Sequence, residues 1–189
     1  MRAFLAAELD EAGKSAAATL LVRLRRLDSR SVKWVSPENL HITLKFLGDV
    51  TDAEARSAGE ILSDAASGLM KKPMRFAGVG MFPNERRPRV VHLMADDPDG
   101  FLKALNKNLE RRIEEKIGIP AENRRFVPHI TLCRARGDRI EDRLLKALTE
   151  PHHEAEKPFA VTAITFFESI LKPDGPTYKT IRRIGLSDE

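Results

Sequence analysis

The four residues His-Ile-Thr-Leu occur twice in the chain, in His41-Ile42-Thr43-Leu44-Lys45-Phe46 and in His129-Ile130-Thr131-Leu132-Cys133-Arg134. Polar and apolar residues alternate in both copies, and successive side chains of a β-strand point to opposite faces of a sheet. Each copy is therefore predicted to be a half-buried strand. Strict alternation places His and Thr on one face, together with Lys45 in the first copy and Cys133 in the second. It places Ile and Leu of both copies, and Phe46 of the first copy, in the core.

The repeated polar face carries the functional hypothesis. A lone histidine on a strand is usually a structural hydrogen-bonding residue. A duplication kept only for packing would explain the shared Ile and Leu, but not the shared His and Thr. We therefore expect His41, Thr43, His129 and Thr131 to converge across a cleft as the catalytic set.

Composition sets the class of protein. A chain of 189 residues, with 42% hydrophobic and 32% charged residues, predicts a folded globular protein of one domain or two small lobes. The single cysteine, Cys133, allows no internal disulfide, and a nucleophilic role is disfavoured because the first copy has Lys45 at that position. We find no signal-peptide pattern and no long apolar run, which predicts a cytoplasmic location without a membrane span. The net charge of +4 permits a phosphate-bearing partner.

Four helices and about seven strands are predicted around the two motifs. Helices are expected from Asp10 to about Leu27, from the Thr51 capping box to about Met70, from Asp97-Pro98 to Gly118, and from Asp138 to Pro151. Besides the motifs, strands are expected at residues 2–9, 32–35, 74–82, 89–95, 159–171 and 177–186. Short turns containing Pro or Gly favour antiparallel pairing, so the predicted class is α+β. The adjacent His152 and His153 are expected to be exposed in a polar loop.

Paired histidines without metal-ligand spacing suit acid and base catalysis near neutral pH. No carboxylate or cysteine repeats with them, and no Walker loop, G-x-S-x-G or strand-linked G-x-G-x-x-G is present. Two threonine hydroxyls could hold oxygens that carry developing negative charge. A phosphodiester has two such non-bridging oxygens, and in its displacement the entering and departing oxygens lie on opposite sides of phosphorus. Arg134 could neutralise the phosphate.

At these residues the sequence resembles a known family. Residues 34–48 and 126–134 are similar to the two motif regions of the two-histidine (2H) phosphoesterases, and within them to the RNA 2′,3′-cyclic phosphodiesterases, also called 2′-5′ RNA ligases. Residues 2–6, 80–83, 88–91, 168–169 and 175–178 extend the resemblance over almost the whole chain. It implies one bilobal α+β domain over residues 1–189, with a pseudo-twofold axis and two antiparallel sheets, flanked by helices, around a central cleft.

The resemblance also implies the reaction and the roles. A 2′,3′-cyclic phosphate at an RNA 3′ end, tRNA fragments included, is opened to a 2′-phosphate without metal or cofactor, and the reverse reaction joins RNA ends by a 2′-5′ linkage without ATP. His41 would be the proton donor and His129 the acceptor, while Thr43 and Thr131 would bind the phosphate. Arg134 would contact phosphate and base, and Phe4 would belong to the base pocket; the expected state is a monomer.

Two features depart from this pattern. His92 stands where relatives often have Trp, which would alter base stacking. Strict alternation also points Arg134 away from His129, so Arg134 needs a local bend in its strand to reach the phosphate. Two other functions stay open: a 2H phosphodiesterase acting on another cyclic phosphate or a 2′-5′ oligonucleotide, and a non-catalytic RNA- or nucleotide-binding module.

Overall fold

A computed structural model describes residues 1–28, 30–137, 139–173 and 175–188. The strands are β1 (Arg2–Leu9), β2 (Val32–Trp34), β3 (Ile42–Asp49), β4 (Lys72–Phe82), β5 (Val90–Asp96), β6 (His129–Ala135), β7 (Pro158–Lys172) and β8 (Gly175–Gly185). The helices are α1 (Glu11–Arg25), α2 (Asp52–Ala66), α3 (Phe101–Ile117) and α4 (Asp142–Leu148), with short 3₁₀ turns at Pro37–Asn39 and His153–Glu156. The predicted α+β class is confirmed, whereas the strands are joined in one eight-stranded sheet where two sheets were expected, because β3 pairs with β6.

All pairings between these strands are antiparallel, and they run in the order β1-β3-β6-β5-β4-β7-β8. Strand β1 also pairs with β7, so the pairing closes into a ring, and β2 pairs with β6. The two motif strands, β3 and β6, are neighbours joined by the single pair Ile42 and Ile130. This contact holds both motifs at one place in the sheet.

A β-bulge interrupts each motif at its fourth letter. The partners of β1 skip Leu44, and those of β5 skip Leu132. A bulge shifts the alternation by one residue, so both copies share one sequence of burial in which the fourth and fifth positions are buried and the sixth is exposed. The strict alternation expected from the sequence is therefore wrong beyond the fourth letter.

Three predicted side-chain directions change as a result. Lys45 and Cys133, expected beside His and Thr, are buried, with 1% and 0% of their surface exposed. Phe46, expected in the core, is 47% exposed. Arg134 occupies the position that matches Phe46 and is likewise exposed.

The core is a cluster of apolar residues from the sheet and the helices. Helix α1 presents Ala17, Leu20, Leu21 and Leu24 to it, as its spacing predicts, and the capping box at Thr51 opens α2 as predicted. Charged groups also enter the interior. The Lys45 ammonium donates hydrogen bonds to the Glu110 carboxylate of α3 and to the Pro120 carbonyl. Glu110 also accepts from the backbone N–H of Glu122, so this pair ties β3 to α3 and to the chain that leads toward β6.

Some predicted boundaries move. Helix α3 begins at Phe101, not at Pro98, because Gly100 is its left-handed cap, and Asp97 accepts from the N–H groups of Leu102 and Lys103. Asp138, the expected start of α4, lies outside the described residues; the helix is described from Asp142. His152 is buried against the Arg23 guanidinium and not exposed as expected, whereas His153 is exposed.

Candidate active site

The two motif histidines are held in the same way. The Nδ1 atom of His41 lies 2.7 Å from the Asn39 carbonyl oxygen, and that of His129 lies 2.7 Å from the Val127 carbonyl oxygen. A carbonyl can only accept, so each Nδ1 carries the proton and each Nε2 is the atom left to exchange one. Because each carbonyl lies two residues before its histidine, the local backbone fixes the tautomer.

The threonines lie next to these nitrogen atoms. Thr43 Oγ1 is 3.0 Å from His41 Nε2, and the neutral ring accepts a hydrogen bond from this hydroxyl. The Ile42–Ile130 pair sets the two motifs side by side, and the charge of His129 lies near enough to lower the pKa of His41. The structure therefore brings together all four residues of the expected catalytic set, and all four are partly exposed.

Arg134 faces the same site because of the bulge at Leu132. Its positive charge lies near enough to lower the pKa of both His41 and His129. The local bend that the sequence required is thus present. Arg134 is exposed, so its guanidinium is accessible from solvent at this site.

Phe4 lies beneath His41 and does not form an exposed wall. It is 3% exposed, and its ring centroid lies 4.9 Å from that of His41 and 4.9 Å from that of Tyr178. A cleft of about 460 Å³ opens beside His41, lined by Phe167 and Tyr178 among others. These two residues present the aromatic surface that the sequence analysis assigned to Phe4 alone. Phe167 lies on β7 and Tyr178 on β8, the two long C-terminal strands that the sequence pattern predicted.

His92 and Phe82 flank the other histidine. Their rings stack with centroids 4.0 Å apart, and each centroid is 5.0 Å from that of His129. His92 is 2% exposed, and its Nδ1 has no hydrogen-bond partner among the described residues. Sequence reasoning named His92 only as a departure from the family pattern; its contact with His129 follows from β5–β6 pairing, in which His92 lies opposite Thr131.

Burial controls the protonation of the site. It lowers the pKa of His41 to about 4, with the Asn39 carbonyl opposing this effect and the charges of His129 and Arg134 adding to it. Burial also lowers the pKa of His129, and that of His92 to about 4. The free protein therefore holds neutral imidazoles at neutral pH. Burial raises the pKa of the Cys133 thiol to about 12, which removes it as a nucleophile.

Within the described ranges, no three His, Cys, Asp or Glu side chains are grouped so that they could hold a metal ion. The chemistry that these residues can perform is proton transfer at both ends of a bound anion.

No helix in the described part of the chain has the length and apolarity needed to cross a membrane.

An α+β fold whose sheet sets two His-x-Thr strands side by side, with an arginine next to them, is typical of the two-histidine phosphoesterases. The chain belongs to the family described as "LigT like Phosphoesterase", which matches residues 8–92 and 98–178. It is therefore a 2H phosphoesterase, as the sequence analysis inferred.

Individual relatives agree with this family. A Methanothermobacter thermautotrophicus protein named RNA 2′,3′-cyclic phosphodiesterase is 35% identical over 178 residues, which cover 94% of this chain and 95% of the relative. The crystal structure of TT0787 of Thermus thermophilus superposes with a TM-score of 0.83 at 28% identity, covering 100% of both chains. LigT of E. coli, crystallised in complex with 3′-AMP, gives a TM-score of 0.77 at 26% identity and covers 99% of this chain and 98% of its own.

Proposed function

We propose that this phosphoesterase opens RNA 2′,3′-cyclic phosphate ends to 2′-phosphomonoesters by acid and base catalysis between His41 and His129, without a metal ion. The matched hydrogen bonds that hold both Nδ1 atoms carry the proposal, because they leave two Nε2 atoms for one phosphate. The names of the relatives support the substrate, with tRNA fragments among the candidate RNAs. The proposed enzyme is a cytoplasmic monomer with one bilobal domain.

The proposed reaction has one base and one acid. His129 Nε2 takes a proton from water as the water oxygen bonds to phosphorus, and the bond from phosphorus to O3′ breaks. Protonated His41 gives its Nε2 proton to the departing O3′. The hydroxyls of Thr43 and Thr131 and the guanidinium of Arg134 hold the non-bridging oxygens, where charge accumulates.

Substrate binding supplies the proton state that the acid needs. In the free protein, burial keeps His41 neutral. A phosphodiester anion next to the imidazole favours its charged form, which raises its pKa in the complex. The carboxylate of Glu8, whose charge also raises the pKa of His41, acts in the same direction. The family resemblance assigns His41 as the general acid. The charges of the phosphate and of Glu8 support this role, because both favour protonated His41.

The cleft beside His41 is proposed to hold the nucleoside that carries the cyclic phosphate. Tyr178 and Phe167 offer it an aromatic surface, and Phe4 supports both rings from below. The Asn39 amide donates to the Pro176 carbonyl, which ties the His41-bearing segment to β8 and shapes the mouth of this cleft.

Turnover in EDTA tests the proposal. An oligonucleotide with a 2′,3′-cyclic end and ADP-ribose 1″,2″-cyclic phosphate are supplied separately to wild type, to His41→Ala and His129→Ala, and to His153→Ala as a matched control. We expect opening of the oligonucleotide end in excess chelator, with a loss of roughly 10²–10⁴ in rate for the two motif variants only.

Three results would contradict it. Binding of RNA without any turnover would identify a binding module. Preference for the small cyclic phosphate would change the substrate class. Loss of activity on chelation, restored by one divalent ion, would reject the metal-independent mechanism.

A further inference from the structure

The cleft beside His41 contains a carboxylate that the proposed reaction uses neither as an acid nor as a base. Glu8, on β1, lines this cleft together with the aromatic rings of Phe167 and Tyr178. Only 17% of the Glu8 side chain is exposed. Removing a carboxylate from water is costly unless its oxygens find donors, so the partners of both Glu8 oxygens need an explanation.

Two neighbouring side chains hold one of these oxygens. The Thr165 hydroxyl and the Arg183 guanidinium both donate to Glu8 Oε1, the guanidinium from Nε at 3.2 Å. Thr165 is fully buried and lies opposite Arg183 in the β7–β8 pairing, so both donors are fixed by the sheet. An ionised carboxylate accepts on both oxygens. Within the described part of the chain Oε2 has no hydrogen-bond partner, so Oε2 is the acceptor left for a ligand.

The other charged residues of the lining do not take this role. Arg183 pairs with Glu8 itself, and Lys14 pairs with Glu11 at 3.5 Å. Glu38, the other carboxylate of the lining, is exposed, so water competes for its hydrogen bonds. Glu8 is therefore the acceptor in this cleft whose position the fold holds.

We propose that Glu8 Oε2 accepts a hydrogen bond from the exocyclic amino group of the terminal base, so that RNA ends in cytidine or adenosine are favoured over ends in uridine. This inference rests on the proposed function, which places the nucleoside with the cyclic phosphate in this cleft. The base stacks by its face on Phe167 and Tyr178, and its edge turns toward Glu8. Because a carboxylate can only accept, it matches the amino group at cytosine N4 or adenine N6 and repels the O4 carbonyl of uracil.

Glu8 has a second effect on the reaction, because its charge raises the pKa of His41. That effect acts on the proton given to the departing O3′, and it is therefore common to every terminal base. A ratio of kcat/KM between two bases cancels it and reports the contact between Glu8 and the base.

The test uses short oligonucleotides with a 2′,3′-cyclic end that differ only in the terminal nucleoside. One pair ends in cytidine or uridine, and the other in adenosine or purine riboside, which lacks only the N6 amino group. Each is supplied to wild type, to Glu8→Gln and Glu38→Gln, and to Glu60→Gln, an exposed residue of α2 that serves as the matched control. The glutamine amide at position 8 keeps an oxygen for Thr165 and Arg183 and so preserves their contacts.

We expect wild type to favour the amino-bearing member of a pair by about 10- to 100-fold in kcat/KM, the usual worth of one hydrogen bond to a charged group. Glu8→Gln should lower this ratio severalfold, because an amide oxygen accepts more weakly than a carboxylate and an amide can also donate to a carbonyl. Glu38→Gln and Glu60→Gln should leave the ratio unchanged. A preference confined to one pair would support the contact and identify the ring whose amino group reaches Oε2.

The inference is overturned if wild type opens all four ends equally well, if it prefers the uridine and purine riboside ends, if Glu8→Gln keeps the full preference, or if Glu38→Gln alone removes it. Opening of none of the four ends would instead overturn the proposed function. The wild-type ratios need no variant, so they decide the inference even if Glu8→Gln does not fold.

Discussion

Replacing Glu110 by Gln should destabilise the protein far more than an ordinary loss of a charge pair. Lys45 is 1% exposed in its side chain and Glu110 is 11% exposed, so the change leaves a buried ammonium without its carboxylate. Breaking a buried pair from one side costs about 3–5 kcal/mol. For a chain of this length each kcal/mol lowers the melting temperature by roughly 2–4 °C, which predicts a decrease of about 6–20 °C. Urea and thermal unfolding, followed by circular dichroism, measure both quantities.

Helix α3 offers a matched control. Glu115 pairs with Arg111 on the exposed surface, where the two side chains are 57% and 59% exposed, so Glu115→Gln should change stability by no more than about 1 kcal/mol. The double variant Lys45→Met with Glu110→Leu should recover most of the loss, because no unpaired charge remains in the core. Equal stability of Glu110→Gln and Glu115→Gln would show that Lys45 does not enter the core as described, and that the bulge at Leu44 is misplaced.

Three further predictions concern the site. Catalysis needs His41 protonated and His129 neutral, and burial lowers the pKa of both in the free protein. The profile of kcat/KM, which reports the free enzyme, should therefore peak on the acid side of pH 6.5. The profile of kcat should peak at higher pH because the bound phosphate raises the pKa of His41, and a common maximum of the two steady-state profiles would oppose this. Arg134→Ala should weaken RNA binding and flatten its salt dependence, as titrations at several salt concentrations would show, and an unchanged slope would remove Arg134 from the phosphate site. Because burial lowers the folded-state pKa of His92 to about 4, the unfolded chain binds more protons below its ordinary value of 6.5. Stability should therefore fall by roughly 2–3 kcal/mol as pH drops from 6.5 to 4, and His92→Phe should lessen the fall in urea unfolding; an identical loss in both proteins would place the effect elsewhere.

Local patterns predicted much of the fold. The capping box at Thr51 and the apolar stripe of α1 specify helices from neighbouring residues alone, and the structure has both. The two His-x-Thr pairs were predictable because alternation is reliable over three residues. Pairing of β3 with β6 is not encoded locally, since only the packed sheet brings Ile42 opposite Ile130.

The directions of the later motif side chains could not be predicted from alternation. One extra residue at Leu44 and one at Leu132 reverse the faces, so that Lys45 and Cys133 turn inward and Arg134 turns toward the site. A bulge depends on the partner strand, and a lysine in a strand pattern gives no sign that a glutamate on a distant helix will neutralise it.

The aromatic walls were missed for a related reason. Tyr178 and Phe167 lie far from both motifs in sequence, and they reach His41 because β7 pairs with both β1 and β8. His92 was noticed as an unusual residue, but its contact with His129 depends on the β5–β6 register. The chemistry of the site was thus predictable from its repeated motif, and its surroundings required the topology of the sheet.

In the proposed mechanism, His41 protonates the departing O3′ and His129 activates the attacking group. A cyclic phosphate whose 3′ bridging oxygen is replaced by sulfur distinguishes these two roles, because a thiolate departs without a proton and needs no general acid. On this substrate His41→Ala should recover most of its loss in kcat relative to wild type, and His129→Ala should recover none. Rescue of His129→Ala alone would reverse the two roles, and rescue of neither would mean that both histidines only bind the phosphate.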